Sequence, residues 1–236
     1  MTHTRLLKSA AVITALSAII FAGLMSISKR VKAGDDENGG QTEESRIRRG
    51  FAIAPVPLNL HEKNRALVGL GSYIVNAVGD CNGCHSAGPP SEFAAGGSPY
   101  LLSPPFTGKK QLNLATYLGG GRDFGPNGSV QHLYSRNLTP DKTGLPAGGH
   151  TYKEFVEIMR QGTDFDHVHP NCSDGIATGT CYLPPFNGDL LQVMRWPFFR
   201  NMSDRDLRAI YEYLSAIPCN PGQVIEGAPY LQNACE

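Results

Sequence analysis

The pentapeptide Cys81-Asn82-Gly83-Cys84-His85 constrains this chain more than any other feature, because C-x-x-C-H is the attachment signature of a c-type haem. Two thiols at this spacing can add across the vinyl groups of the macrocycle as thioethers, and the adjacent His85 is then held beneath the iron as its proximal ligand. Such a chain has to close around a flat cofactor and bring a sixth ligand from elsewhere. A zinc half-site would need a second Cys/His pair at ligand spacing, and a redox dithiol would need a thioredoxin-like βαβ context. The sequence supplies neither. One motif is present, so one covalent haem c is expected.

The N-terminus points to export. Arg5 and Lys8 precede a nearly uninterrupted apolar run over residues 10–27, and Lys29-Arg30-Val31-Lys32-Ala33 follows it. Residues 1–33 read either as a signal peptide cut after Ala33 or as a membrane anchor, since about eighteen apolar residues also approach a bilayer span. Either way the remainder is expected in the periplasm, free or tethered to the inner membrane through residues 10–27. Residues 1–33 hold five basic residues and no acid, which leaves the exported part with 16 basic against 21 acidic residues, a net of −5. A mildly acidic surface argues against nucleic acid as a partner and suits transient docking with another protein.

Four further cysteines, Cys172, Cys181, Cys219 and Cys235, enter an oxidising compartment. Sequence proximity pairs Cys172 with Cys181 across a Gly/Thr/Ser-rich loop, and Cys219 with Cys235 to clip a Pro/Gly-rich tail onto the end of the last helix.

Residues 34–50 are polar and charged without apolar periodicity and read as a flexible linker, so the folded domain is expected over 51–236. Leu67, Leu70, Gly71, Ile74, Val75 and Val78 recur at helical spacing directly before the haem motif. A glycine inside such a helix costs propensity, and Gly71 is expected to let a second helix cross closely. Residues 86–150 are rich in Gly, Pro, Ser and Asn and predict mainly loop. A second helix opens on the capping box Thr151/Glu154, buries Phe155, Ile158 and Met159, and stops at Gly162. A last helix is capped by Ser203 and shows an apolar face at Leu207, Ile210, Tyr211, Leu214 and Ile217. Contact between the first and last helices is expected to close the fold, which is read as all-α with long Gly/Pro-rich loop insertions.

Met194 and Met202 are the candidates for the sixth ligand, since a thioether fills the position and raises the potential. Met202 directly precedes the N-cap Ser203, where packing on Leu207 is reason enough for it. Met194 lies in the irregular run Gln192-Val193-Met194-Arg195-Trp196-Pro197, where no stripe explains a thioether, and is favoured. Met159 reads as core. His167 and His169 form an H-x-H pair beside Pro170 that reads as polar surface, with bis-histidine ligation as the alternative. Trp196 is read as either a donor near the haem or core packing.

The segments GSYIVNAVGDCNGCH, NLTPD at 137–141, TYKEFVEIMRQG and MRWPFFRNMSDRDLRAIYEYL resemble, in order, the blocks of class I c-type cytochromes. The likeness covers about residues 64–218. It is strongest to the cytochrome subunits and domains that accompany membrane alcohol, aldehyde and gluconate dehydrogenases. The resemblance implies a cytochrome c-like helical fold with a partly exposed haem edge, thioethers at Cys81 and Cys84, and axial ligation by His85 and Met194. Where the family usually shows M-P-W-P this chain has Met194-Arg195-Trp196-Pro197, and where the dehydrogenase subunits often carry three haem motifs it carries one.

Two functions of different class follow. The first is electron transfer by a carrier, not an enzyme, standing alone or as the cytochrome component of a dehydrogenase complex, between periplasmic or membrane redox proteins such as a dehydrogenase, an oxidase or another cytochrome. The second is a haem enzyme or gas-binding sensor with an open sixth position, which requires Met194 and Met202 both to be spectators.

Overall fold

The computed structural model describes residues 42–100 and 110–236. The expected signal or anchor over 1–33 and the first part of the linker lie outside these residues. Regular structure among the described residues is helical, with isolated β-bridges in the loops and no strand ladder. None of these helices is long and apolar enough to cross a membrane.

The linker expectation is corrected over its second half. Glu43–Ile53 form a helix, α1, capped by the Thr42 hydroxyl, which accepts from the Ser45 amide. Its apolar stripe is too narrow to register as periodicity, because only Ile47 and Gly50 are buried. Gly50 makes the stripe sufficient: a β-carbon there would lie 1.8 Å from the Gly69 carbonyl oxygen, so the two backbones touch.

Gly69 belongs to α2, Arg65–Tyr73, capped by the Asn64 side chain, which accepts from the Leu67 amide at 3.2 Å. The helix expected up to Val78 changes geometry at Ile74, where residues Ile74–Val78 form a π turn closed by the Gly79 amide donating to the Ile74 carbonyl at 2.7 Å. Asp80 then turns the chain in a left-handed conformation, φ 45°, which aspartate tolerates better than most residues. The haem motif itself forms a short helix, α3, Cys81–His85. One further turn, α4, spans Pro89–Glu92.

The second half follows the expected pattern. Helix α5, Tyr152–Gln161, starts with the Thr151/Glu154 capping box and ends at Gly162 with φ 77°. After a long loop come a single turn, α6, Trp196–Phe199, and the last helix, α7, Asp204–Leu214, whose N-cap Ser203 accepts from Asp206. A 3-10 turn at Pro229–Leu231 sits in the tail. Helix α2 packs against α1 and α7, and the contact with α7 is the one expected to close the fold. A β-carbon on Gly71 would lie 1.9 Å from the Ala209 carbonyl oxygen, so no other residue permits this approach. Val68, Leu70, Leu207, Tyr213 and Leu214 are buried around the crossing.

Where the π turn meets α7, Asn76, Tyr117 and Tyr213 close a hydrogen-bonded ring. Asn76 Nδ2 donates to the Tyr213 hydroxyl at 3.2 Å, Tyr213 donates to Tyr117 at 2.8 Å, and Tyr117 donates to Asn76 Oδ1 at 2.6 Å. Each proton has an acceptor, as burial of three polar groups demands.

Both expected disulfides are present, Cys172–Cys181 and Cys219–Cys235. The tail bridge is reinforced by side chains: Asn233 Nδ2 donates to the Thr139 and Pro140 carbonyls, and Asn137 Nδ2 donates to the Asn220 carbonyl at 2.9 Å. The bridge spans a sequence separation of 16, and loops of this length are stabilised by about 3 kcal/mol on closure. Cys219→Ser/Cys235→Ser is therefore expected to lower unfolding stability by about 2–3 kcal/mol, measured as the urea midpoint, whereas an unchanged midpoint means the side-chain bonds alone hold the tail.

Candidate functional site

Helix α3 is fixed from one side by the loop that follows it. The Leu118 amide donates to Asn82 Oδ1 at 2.9 Å, the Gly120 amide donates to the His85 carbonyl at 2.7 Å, and Arg122 Nη1 donates to the Gly83 carbonyl. The triple glycine Gly119-Gly120-Gly121, legible in the sequence only as a breaker, thus brings one backbone amide, that of Gly120, onto the motif. Its other side faces a cavity of about 400 Å³, within the range of small-molecule sites. Apolar residues such as Ile74, Val75, Leu138, Phe155 and Leu214 make up much of its lining.

Cys81, Cys84 and His85 all line this cavity. The two thiols are free, while the other four cysteines are bridged. Burial, helped by Asp80 and Cys84, pushes the Cys81 thiol up to about 12, so it stays protonated at neutral pH. Among the described residues no three of His, Cys, Asp and Glu converge as an ion site, so the second ligand pair that a zinc half-site needs does not appear there.

His85 Nδ1 lies 2.8 Å from the Arg136 carbonyl oxygen. A carbonyl only accepts, so Nδ1 carries the proton and the lone pair of the neutral ring sits on Nε2. Burial lowers the His85 pKa, with the Arg136 guanidinium acting the same way against the hydrogen bond that raises it. A neutral imidazole with its Nδ1 proton committed is the form that ligates a metal. The Arg136 carbonyl is itself held by the Asn137–Thr139 latch onto the tail, since the Asn220 amide donates to Thr139 Oγ1 at 2.9 Å. Apolar walls, two free thiols beside a correctly prepared histidine, and room for a ligand fit the haem implied by the motif.

Three methionines reach the cavity: Met159, Met194 and Met202. Met159 is buried on α5, as its stripe predicts. Met202 packs against the core beside the α7 cap. Met194 lies between two fixed points, because the Leu191 amide donates to the Gly162 carbonyl at 2.7 Å and Trp196 Nε1 donates back to the Leu191 carbonyl at 3.0 Å. Trp196 sits on Gly162, where a β-carbon would meet its ring at 2.3 Å. It therefore braces the Met194 loop and does not line the cavity.

The H-x-H pair separates. His167 is exposed, 3.7 Å from Asp189, whereas His169 lines the cavity. With it comes a polar wall that the sequence reading missed: Arg136 donates from Nη2 to Asp164 at 2.9 Å and from Nε to Asp166 at 3.0 Å, and His150 stands 3.9 Å from Asp166. The one signal was Arg136, directly before NLTPD.

Among the proteins to which the chain is similar are three cytochrome subunits. It is 29% identical over 153 residues to the gluconate 2-dehydrogenase cytochrome c subunit of Pantoea cypripedii. It is 27% identical over 164 residues to the cytochrome c subunit of the quinone alcohol dehydrogenase of Gluconacetobacter polyoxogenes. To the fructose dehydrogenase cytochrome subunit of Gluconobacter japonicus it is 24% identical over 161 residues. These matches cover 64%, 70% and 68% of this chain but 23%, 24% and 22% of the relatives, so the chain spans about a quarter of their length. No family model matches the chain, and no solved structure matches it.

Proposed function

We propose that this chain is a monohaem c-type cytochrome that carries electrons, with thioethers at Cys81 and Cys84 and axial ligands His85 and Met194. The observation that supports it most is the preparation of His85: its Nδ1 proton is committed to the Arg136 carbonyl, and both thiols and a methionine loop line the same cavity. A haem held there supplies one-electron exchange between ferric and ferrous iron. The residues of this chain supply the rest. The Arg136 carbonyl orients the imidazole and strengthens it as a donor, the apolar walls keep water out, and a Met194 thioether raises the potential. The relatives are named as cytochrome subunits of gluconate, alcohol and fructose dehydrogenases, which favours a dehydrogenase as electron donor, with an oxidase or another cytochrome as acceptor. The site of action is the periplasm, reached through residues 1–33 as signal or anchor.

Optical spectra of the exported protein beside Met194→Ala and Met202→Ala test this reading. The wild type is expected to show the weak far-red absorption of methionine-ligated ferric haem, and only Met194→Ala is expected to lose it. A wild type that lacks the band and binds carbon monoxide readily has an open sixth position, and the carrier reading is then wrong.

A further inference from the structure

Residues 219–236 lie past the stretch over which the chain resembles class I cytochromes, yet they pack behind Arg136, the residue whose carbonyl accepts from His85. The tail is closed by the Cys219–Cys235 bridge and seated by Ala228 and Leu231, both buried. It holds Arg136 at two ends. Tyr230 lies under the guanidinium, 4.7 Å from it. Past the Arg136 carbonyl, Asn137 and Thr139 are buried and bonded to the tail. The Asn220 amide donates to Thr139 Oγ1 at 2.9 Å, and Asn233 Nδ2 donates to the Thr139 carbonyl at 3.0 Å and the Pro140 carbonyl at 3.1 Å. The Thr139 hydroxyl donates in turn to Asn137 Oδ1 at 2.8 Å, and Asn137 Nδ2 donates back to the Asn220 carbonyl at 2.9 Å. Asn220 directly follows Cys219 and Asn233 stands two residues before Cys235, so one cystine fixes both donors.

The opposite side of the same peptide rests on Gly120. A β-carbon there would lie 2.6 Å from the Arg136 carbonyl carbon, and the Gly120 amide donates to the His85 carbonyl. The group that accepts from the imidazole is therefore enclosed between the loop beside the haem motif and the tail. With the tail released, one of these two sides is open and the carbonyl can swing away from the ring.

We propose that Asn233, with the tail that carries it, is a positioning residue for the proximal histidine: it keeps the bond from His85 Nδ1 to the Arg136 carbonyl formed and so holds the potential of the bound haem down. The inference rests on the haem reading above. A bond donated by the far nitrogen of a ligating imidazole raises the basicity of the ring. A more basic ligand favours ferric over ferrous iron, so a tight bond lowers the potential and a slack one raises it. The tail thus acts against the thioether, which raises the potential from the other face.

The test is the midpoint potential of the full-length holoprotein at one fixed pH, read beside the rate at which the His85 Nδ1 proton exchanges with solvent in the ferrous state. Nitrogen-15 labelling of histidine makes that proton visible by NMR. Asn233→Leu removes the donor and keeps both bridges, whereas Cys219→Ser/Cys235→Ser frees the end of the tail. Each is expected to keep covalent haem and the far-red band, to raise the ferrous-to-ferric ratio at a given electrode potential about tenfold, or ~59 mV for one electron, and to speed the exchange. Tyr230→Phe keeps a ring under Arg136 and is expected to match wild type in both readouts. If the bridge variant does not fold, Asn233→Leu decides alone. Wild-type values of both readouts in Asn233→Leu overturn the proposal, because Gly120 alone then holds the carbonyl. A raised potential with unchanged exchange also overturns it, since the shift then arises away from His85. So does loss of the far-red band in Asn233→Leu, which places the change on the distal side. A wild type that purifies without covalent haem refutes the haem reading itself, and the positioning role with it.

Discussion

Cys81→Ser/Cys84→Ser is expected to leave the purified protein without covalent haem, with haem-dependent staining on a denaturing gel falling at least tenfold, to background. A hydroxyl does not add to a vinyl group under the conditions where a thiol does, and no other thiol can substitute, because the remaining four cysteines are bridged. Each single variant keeps one thioether and should retain staining, with the reduced absorption maximum displaced by the unreacted vinyl. His85 is untouched in all three, so dissociable haem extracted by acid acetone from the double variant separates attachment from ligation. Staining that survives in the double variant would remove the two cysteines from the attachment chemistry.

Gly71→Ala carries the largest expected effect on folding. On an ordinary helix this substitution stabilises by about 0.5–1 kcal/mol, because alanine loses less conformational freedom than glycine. Here the new methyl group would lie 1.9 Å from the Ala209 carbonyl oxygen, and the obstacle is backbone, which cannot rotate aside. Helices α2 and α7 must move apart, with a cost at or above the upper end of overpacking, about 3 kcal/mol. Denaturant unfolding measures it, and a midpoint equal to or above wild type would mean the two helices do not cross as described.

How far the sequence spoke depended on whether a residue acted through its own side chain. The apolar stripes of α2, α5 and α7 were legible because their apolar side chains recur at helical spacing, and the caps at Thr151 and Ser203 because a hydroxyl at that position has one use. Gly71 was legible because an interior glycine is a cost that needs a reason. Helix α1 was not: Ile47 and Gly50 make a stripe two residues wide, and its partner Gly69 shows no side chain at all. Nor was the Arg136 carbonyl, since every residue has one and only the fold decides which meets His85. His169 was legible as a candidate but not as the member of the pair that lines the cavity, because the sequence cannot separate an exposed His167 from a neighbour two residues on.

The π turn at Ile74–Val78 bears on how this chain and its relatives can differ in length. A bond from residue 79 back to 74 holds one more residue in the turn than an α-helix would. Removing any one of the five lets the turn revert to α geometry, while the glycine crossing upstream and the haem motif downstream keep their faces. A one-residue gap is therefore expected inside a helix, the place where an aligner would resist opening it, and the residue lost there decides whether the Asn76 amide still reaches the two phenols. Kinship between chains of this kind is thus better traced from Gly71 and Cys81 as separate landmarks than from the spacing that joins them.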